Sequence, residues 1–245
     1  MSPNPSPVTS EPEWLETLAR CDAGPPDTAA WSRAAVIAAH PDDECLALGG
    51  FLQALRAHGV EVRIIVATDG EAAFPGLDAV ARTRLARERR RELHAAVRAH
   101  GLGRVPVTWL GLPDSGLAEA ERELVSSLRP LLAAVDATVA PWPLDPHPDH
   151  RAIGRATAAA TPLSARFWSY PVWMWHWMRP DEAEIPWQRA AVQRLSPEQR
   201  ARKSAGLAEF TSQLSPAPDG GEPVLPPQVL AHFDRDVEVL FEESP

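Results

Sequence analysis

Apolar, β-rich runs alternate with helix-periodic stretches along this chain, and that alternation constrains the fold more than any other feature. AAVIAAH, from Ala34, is followed by ECLALGGFLQALRAHG, whose apolar spacing is helical and whose Gly59 suits a C-terminal cap. VEVRIIVATDGE is a second β-rich run. Strand, helix, strand in this order requires a right-handed crossover and a parallel sheet. The pattern continues with a helix from Val80 to His100 ended by Gly101, then VPVTWLGLPD as a third strand and its exit loop. ERELVSSLRPLLAAV reads as a helix despite Pro130, ATVAPWPLD as a fourth strand, and HPDHRAIGRATAAA as a loop running into another helix. ARFWSYPVWMWHW is expected to be a fifth strand, SPEQRARKSAGLAEFTSQL one capped helix, and SPAPDGGEPVLPPQ a loop before a last short segment.

A length of 245 residues and 26.7 kDa suits one large domain with ample length to bury a core. The expected fold is α/β, a Rossmann-like, doubly wound and mostly parallel sheet in a single domain over residues 34–245. Residues 1–33 read as an N-terminal tail and short helix, EWLETLARC, with the Pro- and Ser-rich residues 1–12 expected to be mobile. A net charge of -9 argues against nucleic acid, since phosphate neutralisation needs clustered Lys and Arg. The N-terminus has no basic segment followed by an apolar one, and nowhere do about 18 apolar residues run together. It therefore reads as neither signal peptide nor membrane anchor. Cys21 and Cys45 lack CxxC spacing and read as free thiols, which favours the cytoplasm.

In doubly wound sheets the ligand crevice lies beyond the carboxyl ends of the strands. The first four strands run out at His40, at TDGE, at LGLPD and at PLDPHPDH, so every polar-rich stretch of interest falls on one edge. AHPDDECLALGG crowds Asp42, Asp43 and Glu44 beside His40, and like charges side by side need a cation, a helix N-terminus or solvent to offset them. Capping of the following helix would account for acids at this position with no metal at all. HPDH supplies His147, Asp149 and His150 from a distant loop. His40, Asp43 and either of those histidines make a set of two His and one carboxylate, suited to zinc or another divalent transition metal. Asp42 could then take the proton of an activated water, the spare His could polarise a carbonyl or protonate a leaving amine, and Asp149 could orient a histidine.

AHPDDE followed about a hundred residues later by HPDH resembles the LmbE-like, or PIG-L, family of zinc-dependent N-acetylglucosaminyl deacetylases. The resemblance runs through TDGE, RRRELHAAVRAHG, WLGLPDSG and KSAGLAEFTSQL, over most of 34–214. It implies His40, Asp43 and His150 as zinc ligands, Asp42 as general base, and His147 as the group that stabilises the oxyanion or protonates the amine. Arg89 and Asp114 resemble the family's pair that grips sugar hydroxyls. The implied reaction removes an N-acyl group, most simply acetyl, from an N-acetylglucosamine-type amino sugar or glycoside. Two departures bear on the substrate: His100 stands where the family helix usually has Leu, and Phe210 where a histidine is common. The alternatives are an amidase acting on a non-sugar amide with the same metal, and a catalytically silent carbohydrate-binding protein. Self-association is left open.

His58, His94, His100, His176 and His232 are isolated and receive no role, and the basic run Arg82 to Arg91 reads as a solvated helical face apart from Arg89. Four of the nine Trp fall in FWSYPVWMWHW. That cluster reads as a half-buried strand packing Trp into the core, or as an aromatic wall beside the site.

Overall fold

The computed structural model describes residues 6–243. A helix α1 (Glu11–Ala19) precedes β1 (Arg33–Ala38), α2 (Asp43–Ala57), β2 (Glu61–Thr68), α3 (Ala79–Ala99) and β3 (Val107–Leu112). There follow α4 (Glu121–Leu132), β4 (Ala137–Pro141), α5 (Pro148–Ala160), β5 (Arg166–Tyr170) and the short α6 (Met174–Trp177). The chain ends with β6 (Ala190–Arg194), α7 (Pro197–Leu207), α8 (Thr211–Leu214), α9 (Pro227–Leu230) and β7 (Val237–Glu243). The seven strands form one sheet in the order β3-β2-β1-β4-β5-β7-β6. The first five are parallel; β7 is antiparallel to both β5 and β6.

A parallel sheet must be covered on both faces, and strand alternation divides β1 between two cores. Val36 and Ala38 face Leu48 and Leu52 of α2 and Leu93 of α3, whereas Ala35 and Ile37 face Leu124 and Leu128 of α4 and Ile153 of α5. Strand order reverses between β1 and β4, and that reversal opens the crevice. Helix α5 approaches the end of β4 backbone to backbone, because a Cβ on Gly154 would lie 2.5 Å from the Pro141 carbonyl oxygen. This close approach sets where the N-terminal turn of α5 stands over the crevice.

Three expectations are corrected. The aromatic run is a strand only as far as Tyr170; Pro171 has no N–H for a ladder, and the carboxylate of Asp145 accepts the backbone N–H groups of Val172, Trp173 and Met174 at 2.9, 3.0 and 3.3 Å. The chain turns into α6 there instead of extending. The late helix is likewise broken at Ala208–Phe210: Glu92 accepts from the Thr211 hydroxyl, the Ser212 hydroxyl and the Ser212 N–H, which starts α8 afresh. In both places a distant buried acid overrides local periodicity. Finally, residues 8–12 are tied down, not mobile: Val8 N–H donates to His176 O, the Thr9 hydroxyl donates to Met178 O, and α1 starts at Glu11. The first five residues of the stretch expected to be mobile lie outside the described residues.

Candidate metal centre and active site

His40, Asp42 and Asp43 leave the carboxyl end of β1 as α2 begins, and His147, Asp149 and His150 leave β4 as α5 begins. The two motifs therefore meet at the reversal of strand order. Asp42 occupies the N-cap position of α2 but makes no side-chain capping bond, so capping does not explain its carboxylate. Asp43 turns back toward β1, where its Oδ2 accepts the N–H groups of Ala39 and His40 at 3.0 and 2.9 Å. That fixes Oδ1, 3.2 Å from His150 Nε2. His40 Nδ1 lies 3.4 Å from the same His150 nitrogen and 3.8 Å from Asp43 Oδ2.

These separations test the fit of a cation. Bonds of about 2.0–2.1 Å to a tetrahedral zinc place donor atoms roughly 3.3–3.4 Å apart. That is close to the 3.2 Å between Asp43 Oδ1 and His150 Nε2 and the 3.4 Å between His40 Nδ1 and His150 Nε2; the 3.8 Å from His40 to Asp43 is measured to the other carboxylate oxygen. Two neighbouring triads, His40–His147–His150 and His40–Asp114–Asp149, also gather their donor atoms within 4.8 Å. The charge balance points the same way. His40 and His150 are ringed by Asp43, Asp114, Asp145 and Asp149, each within hydrogen-bond or ion-pair distance. Burial pushes the His150 imidazole down, yet Asp43 and Asp145 outweigh it and lift the group to about 9. His40 is raised well above its ordinary value for the same reason, by Asp114, Asp149 and Asp43 against burial. Four carboxylates around two imidazoles form a donor set that calls for positive charge.

The second ring of contacts orients the donors. His150 Nδ1 lies 3.1 Å from Asp145 Oδ1, and that carboxylate also holds the N–H of His147 and those of Val172, Trp173 and Met174. Asp145 was not singled out in the sequence; an acid five residues before a candidate ligand, in the same loop, is the signal that could have found it. Asp149 lies 3.3 Å from His40 Nε2 and accepts the N–H groups of Ser115 and Leu117.

Asp42 is placed for proton work. Burial raises its pKa above the ordinary carboxylate value while Arg89 pulls it back. Arg89 Nη2 donates to Asp42 Oδ2 at 2.8 Å, and its Nη1 donates to the Gly70 carbonyl. Gly70, at φ +65°, allows this: a Cβ there would strike the guanidinium. Burial, His150 and His40 together hold His147 neutral, down to about 3. Its Nδ1 accepts the Asp149 N–H at 3.2 Å, so the proton of the neutral ring sits on Nε2. Asp114 borders the same pocket, where one oxygen meets His40 Nε2 at 3.2 Å and the other accepts the Ala72 N–H at 2.7 Å. Arg90, in the run read as a solvated face, is paired with Asp69 through two bonds and lies over the Trp109 ring. Gln213 was also missed; it is fully buried at the pocket margin with Oε1 lacking a protein partner.

The pocket these residues share holds about 190 Å³, bordered by His40, Asp42, Asp43, Arg89, Asp114 and His147 on its polar side. Fold and site together define a doubly wound α/β protein with a His–Asp centre suited to a divalent cation at the strand-order reversal. Residues 35–161, more than half of the chain, match the PIG-L family, described as GlcNAc-PI de-N-acetylase. The chain belongs to that family. It is 26% identical, over 80% of its length and 85% of the relative's, to a 1D-myo-inositol 2-acetamido-2-deoxy-alpha-D-glucopyranoside deacetylase of Rhodococcus erythropolis. Its fold is similar to that of an N,N'-diacetylchitobiose deacetylase from Pyrococcus horikoshii, at a TM-score of 0.56, 21% identity, and coverage of 75% of this chain and 72% of that one. A deacetylase of an antimicrobial pseudoaglycone superposes at a TM-score of 0.62, 21% identical, over 86% of this chain and 96% of that one. Among the described residues no helix is long and apolar enough to cross a membrane.

Proposed function

We propose that this protein is a metal-dependent hydrolase that removes the N-acetyl group from an N-acetylglucosamine-type amino sugar or its glycoside. The observation that carries this reading is the meeting of His40, Asp43 and His150 around one point, with Asp42 and His147 in the same pocket, in a chain of the PIG-L family. We read His40, Asp43 and His150 as the ligands of a zinc or similar divalent ion, with Asp149 supporting His40. Such an ion, when bound, supplies Lewis acidity that polarises the amide oxygen and acidifies water.

The protein groups do the rest. Arg89 takes Oδ2 of Asp42, so Oδ1 receives the proton of the attacking water. The Nε2–H of neutral His147 donates to the oxyanion that develops on the former carbonyl oxygen. As the C–N bond breaks, the proton held on Asp42 passes to the amine, leaving acetate and the free amino sugar. Arg89 positions the base and offsets part of the rise in its pKa that burial causes. Whether Asp114 reaches a sugar hydroxyl depends on its leaving His40 or Ala72 when substrate enters.

The catalytic domain is read as residues 34–245 and 1–33 as an N-terminal extension, of which Trp14, Leu18 and Trp31 lie in the same core as α2. The unpaired Cys21 and Cys45 support a reducing cytoplasm as its compartment. The test is release of free amine from a panel of N-acetyl sugars and non-sugar acetamides, with zinc supplied and then chelated. Turnover of an N-acetyl amino sugar that stops on chelation and returns with zinc is the expected result. Turnover of non-sugar amides alone, or activity that survives chelation, overturns the proposal.

A further inference from the structure

Half of the pocket wall takes no part in the chemistry of deacetylation. Trp173 and Trp177 stack on each other with centroids 4.5 Å apart and planes 15° from parallel, and both border the pocket that contains His40, Asp42 and His147. Leu46, Leu225, Val229 and Phe233 extend the same apolar surface. Both stacked indoles are only half-buried, although the segment that carries them is otherwise almost wholly enclosed.

A four-residue helix has no stability of its own, and α6 is held from outside along its length. Asp145, which orients His150, anchors the N–H groups at its start. Trp14 Nε1 donates to Trp175 O at 2.7 Å, Val8 N–H to His176 O at 2.9 Å, and the Thr9 hydroxyl to Met178 O at 2.8 Å. The Arg235 guanidinium covers the Trp175 ring at 4.3 Å, and Glu11 of α1 holds that arginine through two bonds of 2.7 Å. The N-terminal extension thus buttresses two indoles beside the metal cluster. Apolar surface left open inside a rigid pocket gains free energy only when an apolar partner covers it.

We propose that the substrate carries an apolar group, an aryl ring or a short alkyl chain, joined to the amino sugar and seated against Trp173 and Trp177. This rests on the deacetylase reading above and narrows its substrate class. The group enters either as the aglycone or as an N-acyl chain longer than acetyl, and both present the same chemistry to the indoles.

The test compares kcat/KM of the zinc-loaded full chain in two arms: methyl against phenyl glycosides of N-acetylglucosamine, and N-acetyl against N-hexanoyl glucosamine. Covering one indole face corresponds to roughly a ten-fold preference for the apolar member of one arm. Trp177→Ala and Trp173→Ala bring that ratio to near one, and Trp177→Phe restores part of it. No preference in either arm, or a preference that survives both alanine variants, overturns the proposal. If none of the four compounds is turned over, the deacetylase reading fails, and calorimetric titration with the same compounds judges the wall alone. Tighter binding of an apolar member that is lost in Trp177→Ala supports it, and equal binding throughout overturns it.

Discussion

The metal-facing loops and the aromatic segment after β5 are joined by one carboxylate yet differ in how they are built. The loops after β1 and β4 keep their candidate ligands close to the strand ends, and each of these side chains is oriented by bonds of its own: Asp43 by the backbone of Ala39 and His40, His150 by Asp145, His40 by Asp114 and Asp149. The aromatic segment has no such self-sufficiency. Its course is imposed by Asp145 at one end and by residues 8–14 of the N-terminus along its length. Asp43 and His150 are placed by neighbours in sequence, His40 and Asp42 are held from other loops by Asp114, Asp149 and Arg89, and the indoles that shape the pocket depend on the N-terminus as well.

Substitutions can break this contrast. The largest effect is expected at Asp42→Ala, which removes the proton acceptor and leaves the His40, Asp43 and His150 triangle intact. Turnover should fall by about 10²–10⁴-fold while bound metal, read by elemental analysis, is unchanged. Loss of metal together with turnover would make Asp42 a ligand and not a base.

Asp145→Asn touches both regions at once. It weakens the hold on His150 and on the start of α6, so metal affinity should drop about 10–100-fold and KM should rise in the same variant. An effect on metal affinity with no change in KM would separate the two regions that the structure ties together.

The smallest effect concerns stability far from the catalytic chemistry. His100 is fully buried against Gly49 and Gly206 with neither ring nitrogen partnered, and burial aided by Lys203 holds its pKa down to about 4. The unfolded chain binds a proton at this residue from about pH 6.5 downward and the folded one does not, so acid favours unfolding. This group should cost about 3 kcal/mol between pH 6.5 and pH 4, a loss that denaturant melts would show to be absent in His100→Leu. Equal acid limbs in the two proteins would mean that His100 finds a partner when protonated.

How much of this was legible in the sequence follows from the same contrast. The doubly wound, mostly parallel layout was readable, because apolar runs alternate with helical stretches along the chain. That His40, Asp43 and His150 come together was readable because they sit within two short motifs at strand ends. Asp145 and Glu92 were not, since their role is to accept backbone N–H groups whose position only the folded chain defines. The misreading of 171–177 as strand and of 208–210 as helix follows directly, as each break is made by one of those two acids. The bond of Arg89 to Asp42 was not legible, because spacing along a helix does not reveal that an acid 47 residues earlier lies across from it.

The central claim is that two remote loops share a single divalent ion. Calorimetric titration of the metal-free protein with zinc, repeated on His40→Ala and His150→Ala, tests it most directly. One equivalent bound tightly by the parent protein, with that binding weakened by at least a hundredfold in either variant, is the expected result. Undiminished binding in both variants, or none in the parent, would contradict it.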